Sequence, residues 1–205
     1  MLFRSDLVIV YNTQQELKQR LERAAIPIYL YEHRGLPDIT ETVRSVGARI
    51  GSAGAANRVA SKMEADLAAI RQSVAGRPRP KTLLVFGRDA GSLRNIDASG
   101  GYGFLHDMLE IAGGENMFSD IAKQSVQTTT EMVLGRRPDV IIELRYGDSA
   151  KSLDVKRELS AWDTVPSVPA VKNRRVYLLV GDEFVVPGPR IVEATRKLAQ
   201  ALHQR

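Results

Sequence analysis

Few side chains in this sequence are reactive enough to do chemistry. The chain has three histidines and no cysteine. Without thiols there are no disulfides, thiolate zinc sites, iron–sulfur clusters or cysteine nucleophiles, although this identifies no compartment. His33, His106 and His203 stand at no metal-ligand spacing, and neither H-x-x-x-H nor H-E-x-x-H occurs. His106 falls on a predicted helix and His203 in a last turn, so both read as structural or solvated. The nucleophile elbow G-x-S-x-G and the P-loop G-x-x-x-x-G-K-S/T are missing as well. Gly100-Gly101-Tyr102-Gly103 is glycine-rich, but the G-x-G-x-x-G spacing fails at His106. That stretch reads better as a permissive turn near a ligand than as a phosphate cradle. No catalytic machinery, metal site or cofactor is indicated.

Binding has better support. Open parallel α/β sheets place ligands beyond the carboxyl ends of their strands. Tyr11 and Asn12 follow the first predicted strand, and Tyr31 and His33 the second. Arg88 and Asp89 follow the third, Arg145 and Tyr146 the fourth, and Glu183 and Phe184 the last. Singly, each of these residues fits a surface loop, where polar and aromatic side chains are common. Their recurrence at strand after strand suggests a cleft that stacks a planar or chelated ligand and neutralises its polar groups. Tyr11 and Asn12 on one side, with Arg88, Tyr102, Arg145, Tyr146 and Phe184 on the other, are the candidate ligand residues. Trp162, close to Pro166 and Pro169, reads as a core or rim residue.

The elements that position these residues follow from hydrophobic spacing. Leu7-Val8-Ile9-Val10 is an apolar, β-branched run suited to a strand buried on both faces. Residues 13–25 form a short amphipathic helix and 27–31 a second strand, which together make a right-handed βαβ unit. Asp38, with Glu41 three residues on, opens a helix along Ile39, Val43, Val46 and Ile50. After Gly51-Ser52-Ala53-Gly54 a second helix runs over 55–75 with Val59, Met63, Leu67, Ile70 and Val74 on one stripe. Its 21 residues would span about 30 Å. Gly76 and Arg77-Pro78-Arg79-Pro80 end it.

Beyond that boundary, strands are expected over 82–86, 140–144 and 176–180, with a loop over 87–101. Helices are expected over 104–112, from a Thr128 cap to about 136, over 153–160, and from Gly188-Pro189 to the end. Such alternation predicts parallel sheets covered by helices. The expected domains are residues 1–36, a helical linker over 37–75, and an α/β lobe over 76–205.

The composition is that of an ordered globular chain, with 43% hydrophobic and 26% charged residues. A net charge of +5 would suit nucleic acid if it were focused on one face. Here the basic clusters fall at turns without interleaved aromatics, so no nucleic-acid partner is expected. The first six residues lack the apolar core and cleavage site of a secretory signal.

Several motifs then carry a family resemblance. Leu109 to Phe118 contains G-G-x-N-x-F after a helix, and Arg136-Arg137-Pro138-Asp139-Val140-Ile141-Ile142 a P-D-x-I-I strand entry. Lys172-Asn173-Arg174-Arg175-Val176-Tyr177 matches K-N-x-R-V-Y, and Gly188-Pro189-Arg190 opens the last helix. In this order around one long helix, these resemble the cobalamin/ferric-siderophore substrate-binding proteins of ABC importers, over about residues 6–203. The resemblance implies a periplasmic-binding-protein-like α/β fold with two lobes joined by a single helix. It also implies a non-catalytic role, a cobalt corrinoid or ferric siderophore or haem chelate as ligand, an ABC permease as partner and a periplasmic or cell-envelope location. Acidic residues dock the transporter in that family, and by position Glu16 and Glu183 would serve. The competing reading is a small α/β enzyme for a phosphorylated or nucleotide substrate, with Gly100–Gly103 and Arg88 as anion site. Only part of the family's first lobe matches, so the expectation is a first lobe shortened at its N-terminus, with residues 1–36 loosely held or paired with another copy.

Overall fold

The computed structural model describes residues 5–32, 34–147 and 153–204. The chain starts with a small βαβ unit: β1 (Val8–Tyr11), α1 (Gln15–Arg23) and β2 (Ile28–Tyr31), with β1 and β2 parallel. α1 buries none of its residues. Its exposed i,i+4 pairs, Glu16–Arg20 at 3.9 Å and Lys18–Glu22 at 4.0 Å, add a few tenths of a kcal/mol each.

α2 (Leu36–Arg49) begins two residues before the sequence pattern suggests. Gly35, not Asp38, is the N-cap residue. Asp38 instead accepts hydrogen bonds from the backbone N–H groups of Arg34 (2.7 Å) and Gly35 (3.2 Å). The adjacent Leu36 N–H is taken by the Asp107 carboxylate of a later helix, at 2.9 Å, so orphan donors at this end are filled from two directions.

α3 (Ala53–Ser73) is the long helix, and Gly54 lies inside it rather than breaking it. Its buried stripe is Ala56, Ala60, Met63, Leu67 and Ile70, a 4-3-4-3 spacing facing one side. Val59, expected on that stripe, is instead 41% exposed. The small residues allow α2 to approach closely: a Cβ on Gly47 would stand 2.0 Å from that of Ala56.

The second unit is a six-stranded mixed sheet ordered β6-β4-β3-β7-β8, with β5 also paired to β3. β3 (Lys81–Gly87), β7 (Val140–Arg145) and β8 (Val176–Val180) are parallel, as is β5 (Glu115–Asn116) on β3. β4 (Ile96–Ser99) and β6 (Ser125–Thr128) run antiparallel to their neighbours, which corrects the all-parallel expectation and the loop expected over 87–101. α4 (Phe104–Ile111) and α8 (Ile191–His203) cover one face together with α3. On the other side lie Phe118, Val133 of α5 (Thr130–Arg136), Trp162, and Ala170 of α7 (Pro169–Lys172). α6 (Val155–Ser160) precedes Trp162. Leu84, Ile142 and Leu144 face the first core while Leu83, Val85 and Ile141 face the second. Both faces of the central strands are therefore dry, and their near-continuous apolar runs follow.

α5 starts one residue later than expected. Thr129, rather than Thr128, accepts the Met132 N–H at 3.3 Å, and Glu131 bonds the same Thr129 hydroxyl.

Candidate functional site

The glycine-rich turn after β4 is held from outside. Asn116 is 2% exposed. Its Nδ2 donates to the Gly100 carbonyl at 2.9 Å and to Ser99 Oγ at 3.3 Å, while its Oδ1 accepts the Phe118 N–H at 2.9 Å. Gly101 N–H donates to the Ile121 carbonyl at 2.8 Å. Cβ atoms would lie 2.1 Å from the Lys123 carbonyl at Gly100 and 2.3 Å from the Ser119 carbonyl at Gly101. These glycines permit close backbone contact, and the Gly100 and Gly101 N–H groups are taken by the Gln124 and Ile121 carbonyls rather than offered to a phosphate, which counts against the anion site of the enzyme reading. The same bonds explain G-G-x-N-x-F: its Asn ties the turn that carries Tyr102.

Tyr102 itself is 40% exposed. With Phe86, Gly103, Phe104, Leu105, Gln124 and Ser125 it lines a cavity of about 230 Å³ at the carboxyl end of β3. Larger concavities, of about 560, 420 and 370 Å³, lie among the helices instead, between α3 and α8, between α2, α3 and α4, and along α1. They hold none of the strand-end residues.

Arg88 corrects an expectation. Its side chain is fully buried, so it cannot reach a ligand. Its Nε and NH2 form a fork on Glu143 of β7, at 2.6 and 3.1 Å. NH1 donates to the carbonyls of Asp89 (3.0 Å) and Ser92 (3.1 Å), and NH2 to that of Glu158 (2.7 Å). Trp162 Nε1 donates to Glu143 Oε1 at 2.5 Å, and NH2 of Arg88 also lies 3.1 Å from Glu158 Oε2. Arg145, at the end of β7, closes the cluster with NH2 2.8 Å from Glu143 Oε2 and 3.7 Å from Glu158 Oε2. Its side chain keeps 14% of its surface exposed, so of the two arginines only Arg145 faces outward. Tyr146 beside it is 43% exposed.

Phe184 is a core residue with no exposure, because the turn after β8 folds back under α8. Glu183 is 8% exposed and its carboxylate meets Lys197 Nζ at 2.5 Å. Burial pushes this carboxyl up, but the Lys197 hydrogen bond, a backbone bond and the charges of Lys197 and Arg190 outweigh it and hold it below the ordinary carboxylate range. A paired, buried acid is a poor docking point, which corrects the second-lobe assignment. Glu16, in contrast, is 91% exposed on α1.

In the first unit the strand ends cluster among themselves. Tyr11 and Tyr31 rings lie 5.2 Å apart and tilted by 56°. Asn12 Nδ2 reaches Glu32 Oε2 at 3.5 Å, and Glu32 accepts Arg34 Nε at 3.2 Å and NH2 at 3.4 Å. Those hydrogen bonds keep the exposed Glu32 carboxyl below its ordinary range. His33 lies outside the described residues. Sequence reasoning missed Glu143, Glu158, Phe86 and Phe104. Glu143 had a signal, a lone acid inside the apolar Val140–Arg145 strand, because a charge buried in a central strand must be paired.

Two α/β units bridged by a long helix, with paired polar and aromatic groups at the strand ends, have the layout of a two-lobed α/β protein. The periplasmic binding protein family matches residues 5–182, and the chain belongs to that family. Its members are binding proteins rather than enzymes. The chain is similar to the vitamin B12-binding protein of Salmonella typhimurium, 26% identical over 202 residues, covering 97% of this chain and 70% of the relative. It is also similar to the cobalamin-binding protein of Halobacterium salinarum, 27% identical over 208 residues and covering 97% and 53%. Against the heme uptake protein IsdE of Staphylococcus aureus it is 26% identical over 170 residues, covering 82% and 57%. Among solved structures, an ABC transporter substrate-binding protein of Listeria monocytogenes superposes with a TM-score of 0.82 at 21% identity, covering 98% of this chain and 77% of that one. The vitamin B12-binding protein BtuF of Vibrio cholerae gives 0.74 at 19% identity, covering 96% and 73%. These likenesses establish the fold.

Proposed function

We propose that this chain is the ligand-binding component of an ABC importer and takes a corrinoid or ferric chelate between its lobes. The observation that carries this reading is the family match over residues 5–182, which includes every strand-end group described above except Glu183 and Phe184. Tyr11 and Asn12 would meet the ligand from one lobe. Tyr102 with its adjoining cavity, Arg145 and Tyr146 would meet it from the other, the rings covering its apolar face. The permease is the partner, with Glu16 on α1 as a docking carboxylate. Family members are periplasmic, and we place this chain there too. No helix among the described residues is long and apolar enough to cross a membrane.

Thermal melting with cyanocobalamin, hemin and a ferric trihydroxamate tests the reading. A ligand at about 100 times its Kd adds about 2.7 kcal/mol and raises Tm by roughly 5–11 °C. A shift with nucleotides and with none of the three chelates would overturn it.

A further inference from the structure

Arg145 is the one cluster arginine that faces outward, and its geometry limits what it can bind. An arginine that recognises a carboxylate or phosphate presents two parallel N–H groups as a fork. Both forks of a guanidinium, end-on through NH1 and NH2 and side-on through Nε and NH2, include NH2. The NH2 of Arg145 is ion-paired with Glu143 at 2.8 Å and lies 3.7 Å from Glu158. NH1 donates to the Leu144 carbonyl at 3.2 Å. Both terminal nitrogens therefore already have an oxygen neighbour inside the protein, on a side chain 14% exposed.

Charge points the same way. Arg88 and Arg145 against Glu143 and Glu158 sum to zero, and Glu143 is fully buried. A carboxylate brought to Arg145 would therefore meet a cluster with no net positive charge to attract it. Across the cleft, Arg34 repeats the pattern, its Nε and NH2 occupied by Glu32 at 3.2 and 3.4 Å. Arg94 is exposed on the loop after β3 but lies outside this network.

We infer that Glu143 and Glu158 act as positioning residues that neutralise Arg145, so that the cleft takes a ligand through neutral carbonyl acceptors, such as amide or hydroxamate oxygens, and disfavours one that presents carboxylates. This rests on the proposed chelate-binding function and narrows its ligand class.

Equilibrium titration of the full chain with cyanocobalamin, a neutral ferric trihydroxamate and hemin, which carries two propionates, is the test. One of the neutral chelates should bind at least about tenfold tighter than hemin. Its affinity should change by less than about twofold up to about 1 M NaCl, where charges are screened beyond roughly 3 Å. Hemin binding tightest, with an affinity that falls steeply with salt, would overturn the inference and leave the importer reading standing. Failure of all three to bind would remove both.

Glu158→Gln should improve hemin relative to the neutral chelate by about tenfold and introduce salt dependence, a change in selectivity that a merely structural role would not produce. An unchanged ratio in a folded Glu158→Gln variant would sink the positioning role. Should that variant not fold, Arg145→Gln keeps the idea testable. It should weaken the neutral chelate about fivefold while hemin changes less, and equal loss for both would count against it.

Discussion

Val8–Tyr11 and Val140–Arg145 look alike as sequence, each a short β-branched apolar run followed by an aromatic or charged residue. In the structure they differ sharply. Five of the six residues of β7 are buried, whereas in β1 only Val10 is, and Ile9 stands 49% exposed. The difference lies in the neighbours. β7 has a strand on each side and a layer on each face. β1 has one partner strand among the described residues, and the adjacent helix α1 buries nothing. An apolar run records the capacity to be buried; the rest of the chain determines whether it is.

The largest test of this contrast removes a charge from the better-buried region. Glu143→Gln leaves the fully buried Arg88 and the nearly buried Arg145 to share the single Glu158 carboxylate, and breaking such a buried pair costs about 3–5 kcal/mol. Urea unfolding should show that loss. A midpoint close to wild type would mean that the cluster is wetter than its geometry indicates. A methyl-scale comparison sharpens the point. Leu144→Ala, in a site with no exposure, should cost about 2–5 kcal/mol. Ile9→Ala, in the half-exposed strand, should stay within about 1 kcal/mol. Equal losses would show that the first lobe is packed as tightly as the second, and hydrogen exchange on a dilute sample would then find β1 as protected as β7. The third and smallest effect is a pH response. Burial, helped by the charges of Arg77 and Arg175, holds His203 below the ordinary imidazole range against the opposing hydrogen bond to the Ala112 carbonyl. The unfolded chain therefore takes up this proton first, and stability should fall as pH drops below about 6.5. His203→Gln should flatten that decline in a Tm series from about pH 7.5 to about 5.5. A steeper decline would reverse the sign.

Reading from sequence succeeded where one residue's environment follows from local pattern. The helix end before Gly76, the strand at Val176–Val180 and the reading of Trp162 as a core or rim residue all came from spacing or punctuation. It failed where partners lie far along the chain. Ile96–Ser99 carries Asp and Ser between short apolar residues, so nothing local marks it as a strand, and its antiparallel pairing with β6 is a tertiary fact. The site suffered the same way. Arg88 and Phe184 follow strands as Arg145 and Tyr102 do, and only three-dimensional packing turns the first pair inward. Of the seven ligand residues named from sequence, these two are buried with no exposed side chain. Glu143 was legible in principle, since a lone acid in an apolar strand requires a partner, but its partner sits 55 residues earlier.

The hydrogen bond from Leu36 N–H to Asp107 spans 71 residues, which matters during synthesis. At roughly 5–20 residues per second, the first turn of α2 leaves the ribosome roughly 4–14 s before its acceptor exists. Asp38 can close the neighbouring Arg34 and Gly35 donors at once, because it lies only a few residues away. The nascent first lobe can thus have a helix start of its own, but its angle to the rest of the molecule waits for α4 to emerge.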